Sequence, residues 1–188
     1  MGNNAMTKIL PRLYVGGVYG SPFKAKEHFI ENKITHVLSI HDSATPGEDK
    51  EYVYKCIRCA DAPSTDLTQY YEECFEFIHE SRLSGGSVFI QCVAGVSRSV
   101  TITAMYIMLV TSLSHEQALT IIRQCRPQAG PNIGFRTQLK NYYDKYAETE
   151  RIKIKEKYPH KTLYDEDEKA AQQLLIDAVE NPSTLSYK

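Results

Sequence analysis

The sequence predicts an α/β fold with a central, mostly parallel β-sheet flanked by helices. Apolar runs rich in β-branched residues, which are typical of buried strands, alternate along the chain with segments whose apolar residues recur at helical spacing. The chain has 188 residues, of which 42% are hydrophobic, and it is therefore long enough for one compact domain and a tail.

Three strands and two helices are predicted in the first half of the chain. The first strand ends at a pair of glycines, and a loop that contains Pro46, Gly47 and four acidic residues precedes the third strand. The second helix has the clearest period, with Tyr71, Cys74 and Ile78 on one face. The five segments are residues 9–17 (strand), 23–32 (helix), 34–40 (strand), 53–59 (strand) and 67–83 (helix).

The second half of the chain begins with a strand, a short loop and an apolar helix. Ser114 and Gln117 then match a capping box, in which each of two side chains bonds the other's backbone N–H at the start of a helix. Pro127, Gly130 and Pro131 interrupt the chain before the last helix of the domain. These segments are residues 87–91 (strand), 99–111 (helix), 114–125 (helix) and 133–147 (helix).

The composition changes after residue 147, and this change sets the expected domain boundaries. A run rich in lysine is followed by an acidic cluster at residues 165–168. Within residues 166–180 the apolar side chains recur at helical spacing, which predicts an amphipathic helix that packs on its own domain or docks a partner; we favour the first. The expected organisation is a flexible segment at residues 1–7, a domain at residues 8–147 and a charged tail at residues 148–188.

Charge and cysteine content exclude several classes of protein. A net charge of -1 gives no overall basic field, so nucleic acid is not an expected partner and any anion site must be local. The longest apolar run, residues 102–110, is far shorter than the ~20 residues of a bilayer span. Five scattered cysteines do not form the framework of a secreted disulfide protein, which indicates a reducing, cytoplasmic setting.

The most specific feature is a Cys-x5-Arg loop between a predicted buried strand and an apolar helix. It runs from Cys92 to Arg98. A helix N-terminus offers unpaired N–H groups and a positive dipole, which bind a phosphate dianion and lower the pKa of a nearby cysteine. Arg98 can donate two parallel hydrogen bonds to phosphate oxygens, and Gly95 permits a tight turn. The pattern predicts an anion site with the Cys92 thiolate as nucleophile.

A buried structural thiol is the alternative interpretation of Cys92, because free cysteine is among the most buried residue types. The sequence context argues against it. A core cysteine needs neither a loop of small residues after it nor an arginine and a serine at the opening of the next helix. We therefore favour the anion site.

The segment from Ala94 to Ser99 resembles the signature loop of the cysteine-dependent protein tyrosine phosphatases, and in particular their dual-specificity branch. The resemblance extends from the opening Met-Gly-Asn to residues 131–139, and it is greatest for the small atypical phosphatases that begin in this way. It implies a fold and an activity of that branch, without metal or cofactor, in which Cys92 attacks the phosphorus and Ser99 helps the thiolate leave. The phosphate oxygens would be held by Val93, Ala94, Gly95, Val96, Ser97 and Arg98.

The general acid implied by the resemblance is Asp61, which would protonate the leaving oxygen and then activate water. From the residues alone an ordinary turn is an equally good interpretation, because Asp-x-Pro is common in turns. Asp66 is the second choice, although it is better placed to cap the following helix. Asn132 matches the Pro-Asn turn of the family, where it would support the catalytic loop.

One departure from the family pattern lies beside the nucleophile, where Gln91 replaces a histidine. Glutamine donates hydrogen bonds but carries no positive charge, so Cys92 should be less acidic than is usual in the family. We favour a working phosphatase, because Cys92, Arg98, Ser99 and Asp61 are all present. The alternative is a phosphoprotein-binding pseudophosphatase with weak or no turnover. A phosphoinositide phosphatase is less favoured, because the loop lacks lysines.

The resemblance also implies partners and a location. Phosphorylated proteins, among them proteins of a MAP kinase pathway, are the expected substrates. Gly2 follows Met1 as in N-myristoylated proteins, although the motif prefers Ser or Thr where Met6 stands. A single myristoyl chain binds membranes weakly, with an association constant of about 10⁴ M⁻¹. A cytoplasmic protein with weak membrane association is therefore expected.

Overall fold

The computed structural model describes residues 6–180, which form one five-stranded sheet with helices on both faces. The strands are β1 (Thr7–Leu10), β2 (Leu13–Gly17), β3 (Ile34–Ile40), β4 (Val53–Ile57) and β5 (Ser87–Cys92). The helices are α1 (Pro22–Glu31), α2 (Tyr71–Leu83), α3 (Arg98–Val110), α4 (His115–Cys125), α5 (Ile133–Lys157) and α6 (Lys161–Glu180), and a 3₁₀ turn at Thr68–Tyr70 precedes α2. Among residues 6–180, no helix is long and apolar enough to cross a membrane.

The sheet is mostly parallel, which confirms the predicted fold class. Its strand order is β1-β2-β5-β3-β4. β2, β5, β3 and β4 run parallel to one another, and only the pairing of β1 with β2 is antiparallel. Because parallel strands end at the same edge of a sheet, the loops after β2, β3, β4 and β5 lie together at its carboxyl edge.

The strand predicted at residues 9–17 is instead a hairpin of β1 and β2. The turn falls at Pro11 and Arg12, and the backbone of Arg12 is left-handed, with φ at 61°. A proline without an N–H group and a left-handed residue together end one strand and start the next. Thr7, which the sequence assigned to a flexible terminus, is the first residue of β1 and pairs with Val15 of β2.

The two faces of the sheet carry cores of different size. Phe89 of β5 points toward α1 and packs against Phe29 in a small aromatic cluster. Its neighbour Ile90 points to the other face, into the large core formed with α2 to α6. At the centre of that core lies α3, whose 13 residues are all buried. The end of β5 and the start of α3 are therefore held rigidly on both sides.

The charged segment after residue 147 is helical and is packed on the domain. α5 continues without a break through the predicted boundary to Lys157. Arg151, which the sequence assigned to the charged tail, donates hydrogen bonds to the Met108 carbonyl at 2.9 Å and the Leu113 carbonyl at 2.8 Å. α6 covers the segment predicted to be amphipathic and buries Ala171 and Ala178.

Candidate active site

Residues 93–97 form a loop that connects the end of β5 to the start of α3. Cys92 is the last residue of β5, and Arg98 is the first residue of α3. At this position the first N–H groups of the helix have no partner within the helix. Three backbone N–H groups, those of Gly95, Val96 and Ser99, point to the Cys92 sulfur. The structure therefore places the predicted nucleophile inside the predicted anion cradle.

The Cys92 thiol is buried, and its surroundings make it more acidic than an ordinary thiol. Its sulfur lies 3.2 Å from the hydroxyl oxygen of Ser99. Burial raises the pKa of Cys92, but hydrogen bonds from the Ser99 hydroxyl and from the backbone outweigh this effect, and the pKa falls below that of an ordinary thiol. The lowered pKa arises without any contribution from a histidine at position 91.

The turn of the loop requires glycine at position 95. Gly95 has a φ of 67°, in the left-handed region that side chains disfavour. A Cβ at this position would also overlap the backbone of Gly16 and Gly17 at the end of β2. The loop is therefore packed directly on the neighbouring strand, which fixes its position relative to Cys92.

The Arg98 side chain is held from one edge only. Its Nη1 donates to the Asp42 carboxylate and to the Cys59 carbonyl, both at 2.8 Å. These two bonds use both hydrogens of Nη1. The Nε atom is buried, has no hydrogen-bond partner among the described residues, and lies 3.7 Å from the Asp61 carboxylate. The edge formed by Nε and Nη2 is thus available for a bidentate hydrogen bond to an anion.

Asp61 lies beside this open edge and is oriented by two donors. One carboxylate oxygen accepts hydrogen bonds from the Ser97 hydroxyl at 2.7 Å and from the Asn132 side-chain amide at 2.8 Å. Asn132 is also the N-cap of α5, where its side-chain oxygen accepts the Phe135 N–H. The structure therefore brings Asp61, Ser97 and Asn132 together with Arg98.

The loop that carries Asp61 is braced by α5. The Gln138 side chain accepts the Leu67 N–H at 2.9 Å and donates to the Thr65 carbonyl at 2.8 Å. A Cβ on Gly134 would overlap the backbone of Pro63, so glycine permits close contact between the helix and this loop. Two contacts on α5 therefore reinforce the position that Asn132 gives to Asp61.

Asp66 and Gln91 lie away from the reacting sulfur. The Asp66 carboxylate accepts hydrogen bonds from the backbone N–H at 2.8 Å and the hydroxyl at 2.6 Å of Thr68, at the start of a 3₁₀ turn. Asp66 therefore orders the turn before α2 and does not cap that helix as predicted, because the N-cap of α2 is Tyr70. Gln91 donates to the Ser39 hydroxyl at 2.7 Å. Because side chains alternate along a strand, Gln91 and Cys92 project from opposite faces of the sheet.

Two residues of the site are not predicted by the sequence. Asp42, the partner of Arg98, follows β3 and has no motif of its own. Arg126 is buried and donates from Nε to the Gly95 carbonyl at 2.7 Å, and from its guanidinium to the Ala94 carbonyl at 3.3 Å. Arg126 thus holds the outer side of the loop. Both residues form hydrogen bonds with residues that are distant in sequence, and no local pattern could have identified them.

The comparison with protein families agrees with this geometry. Residues 13–145 match the model of the dual specificity phosphatase catalytic domain. The chain belongs to the dual-specificity phosphatase family. Human dual specificity protein phosphatase 22 is 44% identical over 165 residues, which are 88% of each chain. Mouse dual specificity protein phosphatase 15 is 38% identical over 165 residues, covering 88% of this chain and 69% of that protein.

Solved structures give the same result. The crystal structure of DUSP15 superposes with a TM-score of 0.77 at 39% identity, covering 82% of this chain and 97% of that one. The structure of a human tyrosine phosphatase-like serine/threonine/tyrosine-interacting protein has a TM-score of 0.72 at 27% identity, covering 76% of this chain and 98% of that one. The resemblance is confirmed, and this dual-specificity phosphatase is an enzyme that acts on phosphoproteins.

Proposed function

We propose that this phosphatase hydrolyses phosphotyrosine, phosphoserine and phosphothreonine through a cysteinyl-phosphate, with Cys92 as nucleophile. The observation that carries the proposal is that one segment, residues 92–98, holds the Cys92 sulfur, the backbone N–H groups that point to it and, at the start of α3, the open edge of Arg98. A phosphate group bound there would receive hydrogen bonds from residues 93–98 while its phosphorus faces the sulfur.

The first step forms a sulfur–phosphorus bond and breaks the bond from phosphorus to the substrate oxygen. Asp61, held beside the open edge of Arg98, donates a proton to that leaving oxygen. Its side chain is one-third exposed, at 33%, so it can meet an oxygen that enters from solvent.

The second step releases phosphate and restores the enzyme. The ionised Asp61 accepts a proton from water as the water oxygen attacks phosphorus and the sulfur–phosphorus bond breaks. The departing thiolate is stabilised by the hydroxyl of Ser99, which lies 3.2 Å from the sulfur. The same contact that lowers the pKa of Cys92 therefore supports its departure.

The geometry favours turnover over a pseudophosphatase. The Gln91 side chain donates a hydrogen bond to Ser39 on the other face of the sheet. A positive charge at this position would act on the sulfur only from a distance, so its absence has a small effect. Ser99 and the backbone N–H groups contact the sulfur directly. The effect of losing histidine at position 91 is therefore expected to be modest.

The test is hydrolysis of a small aryl phosphate, with and without a chelator, by the natural chain and by Cys92→Ser. We expect turnover that the chelator leaves unchanged, no turnover in Cys92→Ser, and retained binding of vanadate, because Arg98 and the loop N–H groups remain in the variant. Comparable turnover by Cys92→Ser would refute the thiolate mechanism. A natural chain that binds vanadate without turnover would be a pseudophosphatase.

We further propose a cytoplasmic location with weak membrane association through a myristoyl group on Gly2, and substrates from a MAP kinase pathway. Gly2 lies outside the described residues, and the support is the opening Met-Gly-Asn and the family resemblance. Mass spectrometry of the chain expressed in cells should detect myristate, and Gly2→Ala should lack it.

The proposed substrates are tested by capture with Cys92→Ser, which should retain phosphorylated kinases of that pathway.

A further inference from the structure

A groove between α4 and α5 opens beside the candidate active site and has a volume of about 450 Å³. Each helix contributes residues that are three or four positions apart and therefore lie on one face. Its lining includes His115, Glu116, Leu119 and Arg123 of α4 and Ile133, Arg136 and Lys140 of α5. None of these residues takes part in the proposed reaction.

One end of the groove lies next to the catalytic groups. Ile133 directly follows Asn132, whose side chain bonds Asp61. Arg136 lies one turn later, about 6 Å along the helix axis. Arg123 reaches the same end, because its Nε donates to the Ala129 carbonyl at 3.1 Å, in the loop that leads to α5. A substrate bound at Cys92 would therefore meet this end of the groove first.

The positive charge of the groove is concentrated at that end. Arg136 is exposed, and within residues 6–180 its side chain makes no ion pair or hydrogen bond. Arg123 adds a second positive charge. At the far end, Lys140 is paired with Asp144, and burial lowers the pKa of His115, which leaves it neutral at neutral pH. Glu116, whose carboxylate is exposed, lies beside His115 at the same far end. The charge that a ligand meets is thus positive only near the active site.

We propose that this groove binds acidic residues that flank the phosphorylated residue of a substrate protein. The inference rests on the phosphatase reaction proposed above and adds a sequence preference to it. The turn from Asn132 to Arg136 equals about two residues of extended peptide, at about 3.3 Å per residue. The preference is therefore confined to positions next to the phosphorylated residue.

The test compares phosphotyrosine peptides that carry Glu or Lys at the two positions before, or the two positions after, the phosphotyrosine. Each kcat/KM is divided by that of the same variant for an aryl phosphate. We expect the natural chain to prefer Glu on one side by about three- to tenfold, and Arg136→Glu to reverse the preference on that side. Lys145→Glu is the matched control: Lys145 is exposed on α5, nine residues later and on the opposite face, and the preference should persist.

Two results would overturn the inference. One is equal use of the Glu and Lys peptides by the natural chain, and the other is a Glu preference that Arg136→Glu leaves intact. If no variant hydrolyses aryl phosphate, the proposed function fails instead, and the affinities of the same peptides for Cys92→Ser then test the groove alone. Equal affinities for Glu and Lys peptides would again overturn it.

Discussion

Arg82 and Arg98 are both buried arginines, and they differ in how many of their hydrogen-bond donors are used. Arg82 uses all four N–H groups of its two terminal nitrogens. They donate to both Asp167 oxygens at 2.6 and 2.7 Å, to the Tyr106 hydroxyl at 2.8 Å and to the Pro11 carbonyl at 2.6 Å. This guanidinium ties α6 to α2, α3 and the turn between β1 and β2.

Arg98 uses only the two N–H groups of Nη1, on Asp42 and Cys59, and its other edge has no hydrogen-bond partner among residues 6–180. A buried donor without a partner costs free energy, which a bound anion can recover. The Nε atoms of both arginines are buried without a partner, so the difference lies in Nη2, which is paired in Arg82 and has no hydrogen-bond partner among the described residues in Arg98. The comparison teaches that an arginine with both terminal nitrogens paired stabilises the fold, whereas an arginine with an open edge of Nε and Nη2 is prepared for a ligand.

Replacing Arg98 by methionine should have the largest effect on activity. Arg98→Met should lower kcat/KM for aryl phosphate by about 10³-fold, because it removes the bidentate donor to the transferring phosphate. Its stability should change little, because the Asp42 side chain is mostly exposed and keeps its hydration. Steady-state kinetics and urea unfolding measure both. A stable, fully active Arg98→Met protein would contradict the assignment of this arginine.

The carboxylates beside the two arginines provide a second contrast. Asp61→Asn should slow substrates with poor leaving groups by about 10²-fold and aryl phosphates with good leaving groups far less, because only the former need protonation. Stability should be nearly unchanged. Leaving-group dependence of kcat/KM measures the effect. Equal losses for both kinds of substrate would assign the acid to another group.

Asp167→Asn should affect stability rather than chemistry. It leaves the buried Arg82 without its counter-charge, and breaking a buried pair in this way costs about 3–5 kcal/mol. Urea unfolding measures the loss, and kcat/KM per folded molecule should stay the same. The double variant Arg82→Met with Asp167→Leu should recover much of the stability, and failure to do so would show that the pair is needed for more than neutralising charge.

The smallest effects are expected at the sulfur itself. Ser99→Ala removes a hydrogen bond that lowers the pKa of Cys92, so the midpoint of iodoacetamide alkylation should move to higher pH. Gln91→His adds a potential positive charge across the sheet and should move the midpoint slightly lower, with more turnover at mildly acidic pH. An unchanged midpoint in Ser99→Ala would leave the backbone N–H groups as the cause of the lowered pKa.

The sequence predicts the parts of this molecule that are determined locally. The Cys-x5-Arg loop is a continuous segment, and the capping box of α4 forms as Ser114 and Gln117 predict. The bounds of β3 are the predicted bounds. The position of Asp61 required the family resemblance, because Asp-x-Pro alone indicates only a turn.

What the sequence does not predict depends on pairing between distant segments. Asp42 meets Arg98 across 56 positions, and Asp167 meets Arg82 across 85. Neither carboxylate has a neighbour in sequence that marks it. The charged residues of α5 suggested a solvated tail, but Arg151 donates hydrogen bonds to the Met108 carbonyl near the end of α3 and to the Leu113 carbonyl beyond it, so the helix continues there. Composition alone does not distinguish these two cases.

Arg126 gives the molecule a mechanical connection. Its guanidinium donates to the Thr7 hydroxyl in β1 at 3.1 Å and to the Gly95 carbonyl in the catalytic loop at 2.7 Å. A force that pulls β1 away from β2 would therefore reach the catalytic loop through the Arg126 side chain and its hydrogen bonds to Thr7, Gly95 and Ala94. Tension on the first strand and the shape of the phosphate cradle are coupled through this one side chain.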